Sequence, residues 1–218
     1  MERLKMWNEW LEANRGERMD AMSDLFNLTR REFHLARYNF ALNYAQDLVI
    51  ADVACGTGYG ASLLATAASK VYGIDREEKA IDYARAHYNA DHIFFIKALA
   101  HYMPILNNSL DLLVSFETIE HVEDGTLVLT EFHRALKNKG KLIISTPNNW
   151  GLSKYHKRTY TLENFKDLLS NSFLVEKIYN QNSGSKCFTN RKQPCGIIET
   201  NPKNKDLAEC FIAVCIKK

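Results

Sequence analysis

No stretch of this chain approaches the roughly 18 consecutive apolar residues that a membrane-spanning helix needs. Met1 to Trp10 alternates charged with apolar residues instead of forming the apolar core of a secretion signal, so the expectation is a cytoplasmic protein without a membrane partner. Cysteine is sparse and odd in number: Cys55, Cys187, Cys195, Cys210 and Cys215 contain no CxxC pair, which argues against both a disulfide framework and a zinc ribbon. No carboxylates and histidines converge at ligand spacing, so no metal is expected. Proline numbers only four, with none before Pro104, and disorder is not indicated. What is present is ordinary globular material: 218 residues, 46% hydrophobic and 25% charged, enough to bury a sizeable core.

Net charge is only +2, but it is unevenly spread. Residues 137–218 carry 15 Lys and Arg against 6 Asp and Glu, while the preceding part is acidic. Such asymmetry can mark the side that receives an anionic partner, or simply a solvated basic face.

Residues 1–46 read as an N-terminal helical cap, with apolar positions at three and four spacings through Leu25, Leu28, Leu35, Tyr38, Leu42 and Ala45. From residue 47 the pattern changes. Leu48 to Val53 is a nearly unbroken apolar run, suited to a parallel strand buried on both faces. A helix follows over Ala61 to Ser69, then strand Val71 to Asp75, helix Glu77 to Tyr88, strands Ile93 to Ile96 and Leu110 to Phe116, helix Gly125 to Leu136 and strand Lys141 to Ser145. Thr161 is a good N-cap for a later helix, although Asn164 misses the usual Glu or Gln of a full capping box. Phe173 to Tyr179 and Cys210 to Ile216 close the chain as strands. Between them 180–207 reads as a long loop, with room for a short strand at Gly196 to Glu199. Alternating strands and helices predict an α/β fold, a doubly wound and mostly parallel seven-stranded sheet of Rossmann-like type with N-terminal helices, spanning 47–218 as one domain.

Chemistry concentrates where the first strand meets Asp52-Val-Ala-Cys-Gly56-Thr57-Gly58. Glycines here let the backbone turn tightly and approach a ligand, and the next helix offers free N–H groups. Gly56-x-Gly58-x-x-Ala61 fits a dinucleotide fingerprint, with Asp75 placed 19 residues past Gly56 for a ribose. Asp52 tilts the choice: at the mouth of the first strand a carboxylate repels a pyrophosphate but suits the ammonium and sulfonium of S-adenosylmethionine. None of the ten tyrosines opens a Tyr-x-x-x-Lys pair, and no Gly-Lys-Ser/Thr follows the glycines, which excludes a P-loop.

Asp52-x-Ala54-x-Gly56-x-Gly58 resembles the Asp-x-Gly-x-Gly-x-Gly motif of the class I S-adenosylmethionine-dependent methyltransferases. His34-x-x-Arg37-Tyr38, Val71-x-Gly-Ile-Asp75, Ser115-Phe-Glu-Thr-Ile-Glu-His121 and Gly140-Lys-Leu-Ile-Ile-Ser-Thr-Pro147-Asn148 are similar to the type 11 branch, whose members often serve sugar, surface-polysaccharide or secondary-metabolite pathways. The resemblance implies S-adenosylmethionine as cofactor and S-adenosylhomocysteine as product. Its contacts would be Arg37, Tyr38, Asp52, Ala54, Gly56, Thr57, Gly58, Asp75, Arg76, Ala98, Leu99, Ala100 and Phe116. Members usually carry Asp or Glu for the adenine amine where this chain has Leu99, so backbone carbonyls or apolar stacking are left to serve there.

On the acceptor side the resemblance places Phe116 and Glu117 beside the cofactor and His121 facing the acceptor, where an imidazole can take a hydroxyl proton near neutral pH. Glu117 and His121 are the expected catalytic residues. Tyr155-His-Lys-Arg-Thr-Tyr160 falls on the loop after strand five, with His156, Arg158 and Tyr160 as acceptor contacts for a small molecule, phosphorylated or nucleotide-linked. Nucleic acid is disfavoured. Lys186, Arg191, Lys192, Lys203 and Lys205 lack interleaved aromatics, and no Asn-Pro-Pro-Tyr or Asp-Pro-Pro-Tyr follows strand four. Besides methyl transfer to a hydroxyl, a catalytically silent S-adenosylmethionine-binding protein and an NAD-dependent oxidoreductase remain open.

Overall fold

The computed structural model describes residues 2–14, 18–182 and 196–218. Two helices lead: α1 (Glu2–Ala13) and α2 (Leu28–Leu42), the latter capped by the Asn27 side chain, which accepts from the Arg30 amide. Then come β1 (Val49–Val53), α3 (Tyr59–Leu64), β2 (Lys70–Asp75), α4 (Glu78–His87), β3 (Ile93–Lys97), β4 (Leu110–Ser115), α5 (Gly125–Ala135) and β5 (Leu136–Pro147). The chain ends with α6 (Leu162–Ser170), β6 (Phe173–Gln181), β7 (Ile197–Glu199) and β8 (Cys210–Lys217).

The sheet order is β3-β2-β1-β4-β5-β8-β6-β7. Strands β1 to β5 pair in parallel, β8 runs antiparallel between β5 and β6, and β7 is antiparallel to β6. Among the described residues eight strands are present: to the seven expected is added β7, the short strand for which the 180–207 loop had room, as an edge partner for β6. Helix α3 also ends earlier than the Ala-rich run predicts. Asp47 donates its amide to Ala67 O at 2.9 Å and Ser69 donates to Leu48 O at 3.0 Å, so the chain after Leu64 is tied to the start of β1 and turns into β2. At α6 the capping box is complete after all, since the Asn164 side chain accepts from the Thr161 amide at 2.8 Å as a glutamine would.

Two apolar layers sandwich the sheet. Ile50, Val71, Leu112 and Ile143 face one, with Tyr38 and Ala61 from α2 and α3; Leu113, Leu142 and Ala213 face the other, with Phe132 and Phe165 from α5 and α6. A third cluster seats Trp7, Trp10 and Leu11 of α1 against Ala80 and Tyr83 of α4. The strand order reverses direction between β1 and β4, and a doubly wound sheet opens its ligand crevice at such a switch point, beyond the carboxyl ends of the strands.

Candidate functional site

A cavity of about 470 Å³ occupies that crevice. Ala54, Cys55 and Gly56 from the turn after β1, Asp75 and Arg76 after β2, and Ala98 to His101 after β3 line one side. Phe116, Glu117, Thr118 and His121 after β4 line the other. One face of α2, spaced as Arg30, His34, Arg37 and Tyr38, closes over both.

The glycine turn has more than one cause. Gly56 has φ +55°, and a Cβ built there would meet nothing nearer than an Arg18 nitrogen at 3.9 Å, so its bareness is available to a ligand. Gly58 is needed for packing: besides its φ of +86°, a Cβ would lie 2.6 Å from Ala84 and 2.8 Å from Phe95. Gly60 makes room for the Tyr38 ring, which a Cβ would strike at 1.9 Å. Packing thus accounts for Gly58 and Gly60, a correction to the expectation that a ligand explains the turn's glycines, and leaves Gly56 as the one that packing does not explain. Thr57, also expected at the cofactor, is fully buried and donates its hydroxyl to Met19 O at 2.7 Å. Ala54 stands at φ 63°, a left-handed conformation that disfavours any residue with a Cβ, at the position where the motif carries glycine.

Asp52 is 1% exposed and stands behind Tyr38, whose hydroxyl lies 3.3 Å from both carboxylate oxygens; Tyr38, and not Asp52, forms the cavity surface. Burial pushes the Asp52 carboxyl up to about 7, only partly opposed by the Tyr38 hydrogen bond. Asp75 accepts from the Gly56 amide and the Glu77 amide at 2.9 Å each, and from two Arg18 nitrogens at 3.3 and 3.4 Å. Arg18 also pairs with Glu77 at 2.7 Å. Neither Arg18 nor Met19 was a sequence candidate. They reach the site because Asp20 accepts from Tyr83 and Tyr88 of the α4 region, at 2.8 and 2.7 Å, and no local motif signals that contact. Leu99 is 48% exposed at the β3 end of the cavity.

Across the crevice, Glu117 adopts φ 50° and turns its carboxylate into a polar cluster. Ser145 Oγ donates to it at 2.9 Å, Cys210 Sγ at 3.2 Å, and Arg37 Nη1 stands 3.4 Å away. Burial and the Glu117 charge keep the Cys210 thiol protonated, consistent with its donating role. Arg37 is 1% exposed and donates to the Gln181 side chain at 2.6 Å, tying α2 to the end of β6. His34 is held neutral, chiefly by burial and then by Arg37 and Arg30. His121 Nδ1 bonds Tyr155 O at 3.0 Å; a carbonyl only accepts, so Nδ1 carries the proton.

The three acceptor candidates on the loop after β5 do not line the cavity. Tyr160 is buried, with its hydroxyl aimed at Ile119 O. Arg158 donates to Glu123 O, and the His156 ring packs edge-on against His121 with centroids 5.0 Å apart. Lys157 is the cation of that segment that does line it. Cys187, Cys195, Lys186, Arg191 and Lys192 lie outside the described residues; Cys55, Cys210 and Cys215 are buried and unbridged.

Residues 51–144 match the family model described as a methyltransferase domain. A probable S-adenosylmethionine-dependent methyltransferase of Mycobacterium tuberculosis is 29% identical over 135 residues, covering 58% of this chain and 48% of that protein. Its counterpart from Mycolicibacterium smegmatis is 31% identical, covering 58% and 52%. Among solved structures, a methyltransferase from Thermotoga maritima shares the fold with a TM-score of 0.70 at 19% identity, over 99% of this chain and 96% of that one. Domain match, fold and relatives agree: residues 51–144 match a methyltransferase domain, the fold is the one solved for such enzymes, and S-adenosylmethionine is the cofactor that goes with it. The chain spans about half the length of the curated relatives it matches.

The residues present fit that group. A buried carboxyl raised by burial and backed only by a phenol favours a cation nearby, as the ligand's ammonium is. Gly56 leaves its surface bare, and Asp75 stands at the end of β2 where a ribose belongs.

Proposed function

We propose that this protein transfers a methyl group from S-adenosylmethionine to a hydroxyl of a small, anionic or sugar-like acceptor. The observation that carries the reading is the cavity that joins Gly56, Asp75 and Ala98 to Phe116 and His121, which offers cofactor and acceptor one continuous space. Bound there, S-adenosylmethionine supplies a sulfonium-activated methyl group. The chain's contribution is alignment and exclusion of water, by Phe116, Tyr38 and the α2 face that closes over the crevice.

Arg37, Tyr38, Ala54, Gly56, Asp75, Arg76, Ala98, Leu99, Ala100 and Phe116 hold the cofactor, with Asp52 acting through Tyr38. His121, whose Nδ1 proton is fixed on Tyr155 O, presents the Nε2 lone pair as acceptor for the hydroxyl proton. Glu117, engaged by Arg37, Ser145 and Cys210, is a positioning residue that orients the strand-four end. Arg30 and Lys157 on the cavity surface support an anionic acceptor.

The test is S-adenosylhomocysteine release over a panel of hydroxylated, phosphorylated and nucleotide-linked acceptors, with wild type and His121→Ala. Turnover is expected to fall about 10²- to 10⁴-fold in the variant while S-adenosylhomocysteine affinity holds. Unchanged turnover would remove His121 from the reaction.

A further inference from the structure

At the rim of the cavity, the short helical turn 119–121 and the loop after β5 bring together three side chains that sequence spacing does not connect. One ligand atom each from Glu120, His121 and His156 lies within 4.8 Å of the others. Glu120 Oε1 is the telling atom. Its residue is 2% exposed, and that oxygen has no hydrogen-bond partner, while Oε2 accepts from Thr146 Oγ1 at 3.2 Å. A buried carboxyl oxygen left without a partner gives up its hydration for nothing in return, and needs a reason.

The surroundings are arranged as the outer shell of a metal site usually is. His121 donates Nδ1–H to Tyr155 O, the contact that fixes a ligand imidazole's tautomer and points Nε2 at a metal. Nε2 lies 3.7 Å from Glu120 Oε1. Four-coordinate zinc, with bonds of about 2.1 Å, holds its ligand atoms roughly 3.4 Å apart, so the pair needs only a small contraction. The loop carrying His156 is fastened to the same turn: the Lys157 and Arg158 amides donate to Glu120 O at 2.8 and 3.1 Å, and the His156 amide donates to Ser153 Oγ at 2.9 Å.

We propose that Glu120, His121 and His156 form a binding site for a divalent transition cation of the zinc class. Two imidazoles and one carboxylate select such ions over magnesium or calcium, which prefer all-oxygen sets. Three protein ligands leave a coordination position open, and His121 places it on the cavity edge. An acceptor hydroxyl on that position would be acidified by the cation, which would replace the imidazole as its activator; this last step rests on the methyl-transfer reading, whereas cation binding does not.

The experiment uses the full chain, stripped with a chelator and titrated with Zn²⁺ against a chromophoric competitor, then with Co²⁺ followed by electronic absorption. One tight equivalent is expected, with a cobalt spectrum of nitrogen and oxygen ligation. His156→Ala and His121→Ala should each weaken binding by about tenfold or more. Unchanged circular dichroism and S-adenosylhomocysteine affinity in His156→Ala would show that the loss is not unfolding. No tight equivalent, wild-type affinity in both variants, or a thiolate charge-transfer band placing cobalt on cysteine would overturn the site. Methyl transfer is read by none of these measurements, so failure here and failure of the methyltransferase reading are told apart.

Discussion

Asp52 and Asp75 end two neighbouring strands at the same edge of the sheet, both almost wholly buried, and the protein supports them in opposite ways. Asp75 has four donors, two backbone amides and two Arg18 nitrogens, which fills the roughly four lone-pair sites of a carboxylate. Asp52 has a tyrosine hydroxyl at 3.3 Å and little else, and its carboxyl rises to about 7 as a result of burial. The two acids therefore do different work. Asp75 fastens the glycine turn to β2 and the N-terminal segment, so a ribose reaching it must share or displace an Arg18 contact. Asp52 is a reserve of unsatisfied negative potential that a cationic ligand relieves.

The largest expected effect breaks the Asp75 side of this comparison. Asp75→Ala leaves the Gly56 and Glu77 amides without this acceptor, at about 1–3 kcal/mol for each unmade bond, loosens Arg18, which keeps Glu77, and removes a ribose contact. Calorimetric affinity for S-adenosylhomocysteine should fall about 100-fold; a drop below threefold would mean that Asp75 only shapes the loop.

Asp52 gives the opposite sign for stability. Its folded-state value of about 7 lies above the ordinary 3.8, so the folded protein keeps the proton that the unfolded chain releases between those values. Stability is thus lost as pH rises from about 4 through 7, with an upper bound of about 4 kcal/mol at roughly 1.4 kcal/mol per unit. Asp52→Asn should abolish that slope in urea unfolding at pH 5 and pH 8, being the more stable protein at pH 8, yet bind S-adenosylhomocysteine more weakly. A variant that loses stability at pH 8 would show Asp52 to be fully compensated.

The smallest effect concerns the adenine end. Leu99→Asp restores an acceptor for the adenine amine, worth about 1 kcal/mol, and should tighten S-adenosylhomocysteine about fivefold by the same titration. No change, or weaker binding, would place the adenine away from Leu99.

The same contrast shows what the sequence made legible. The succession of strands and helices, the β1 turn and Asp75 could be read because buried runs, glycines and an acid at fixed distance each leave a local pattern. The causes of Gly58 and Gly60 could not, since Phe95, Ala84 and Tyr38 are distant partners. Arg18 arrives through Asp20 and two tyrosines more than 60 residues away in sequence, a contact no spacing rule encodes. Tyr160 and Arg158 looked like acceptor contacts because they are polar and lie on the right loop; in the fold one hydroxyl turns inward and the other side chain clamps a carbonyl. The approach of Glu120, His121 and His156 leaves no pattern for the same reason, since His156 lies 35 residues from His121 along the chain and the loop brings it there across space.

Calorimetric titration of the full chain with S-adenosylmethionine, S-adenosylhomocysteine and NAD tests the assignment of this crevice to S-adenosylmethionine. One equivalent of each sulfur ligand should bind and NAD should not; binding of NAD alone, or of neither sulfur compound, would contradict it.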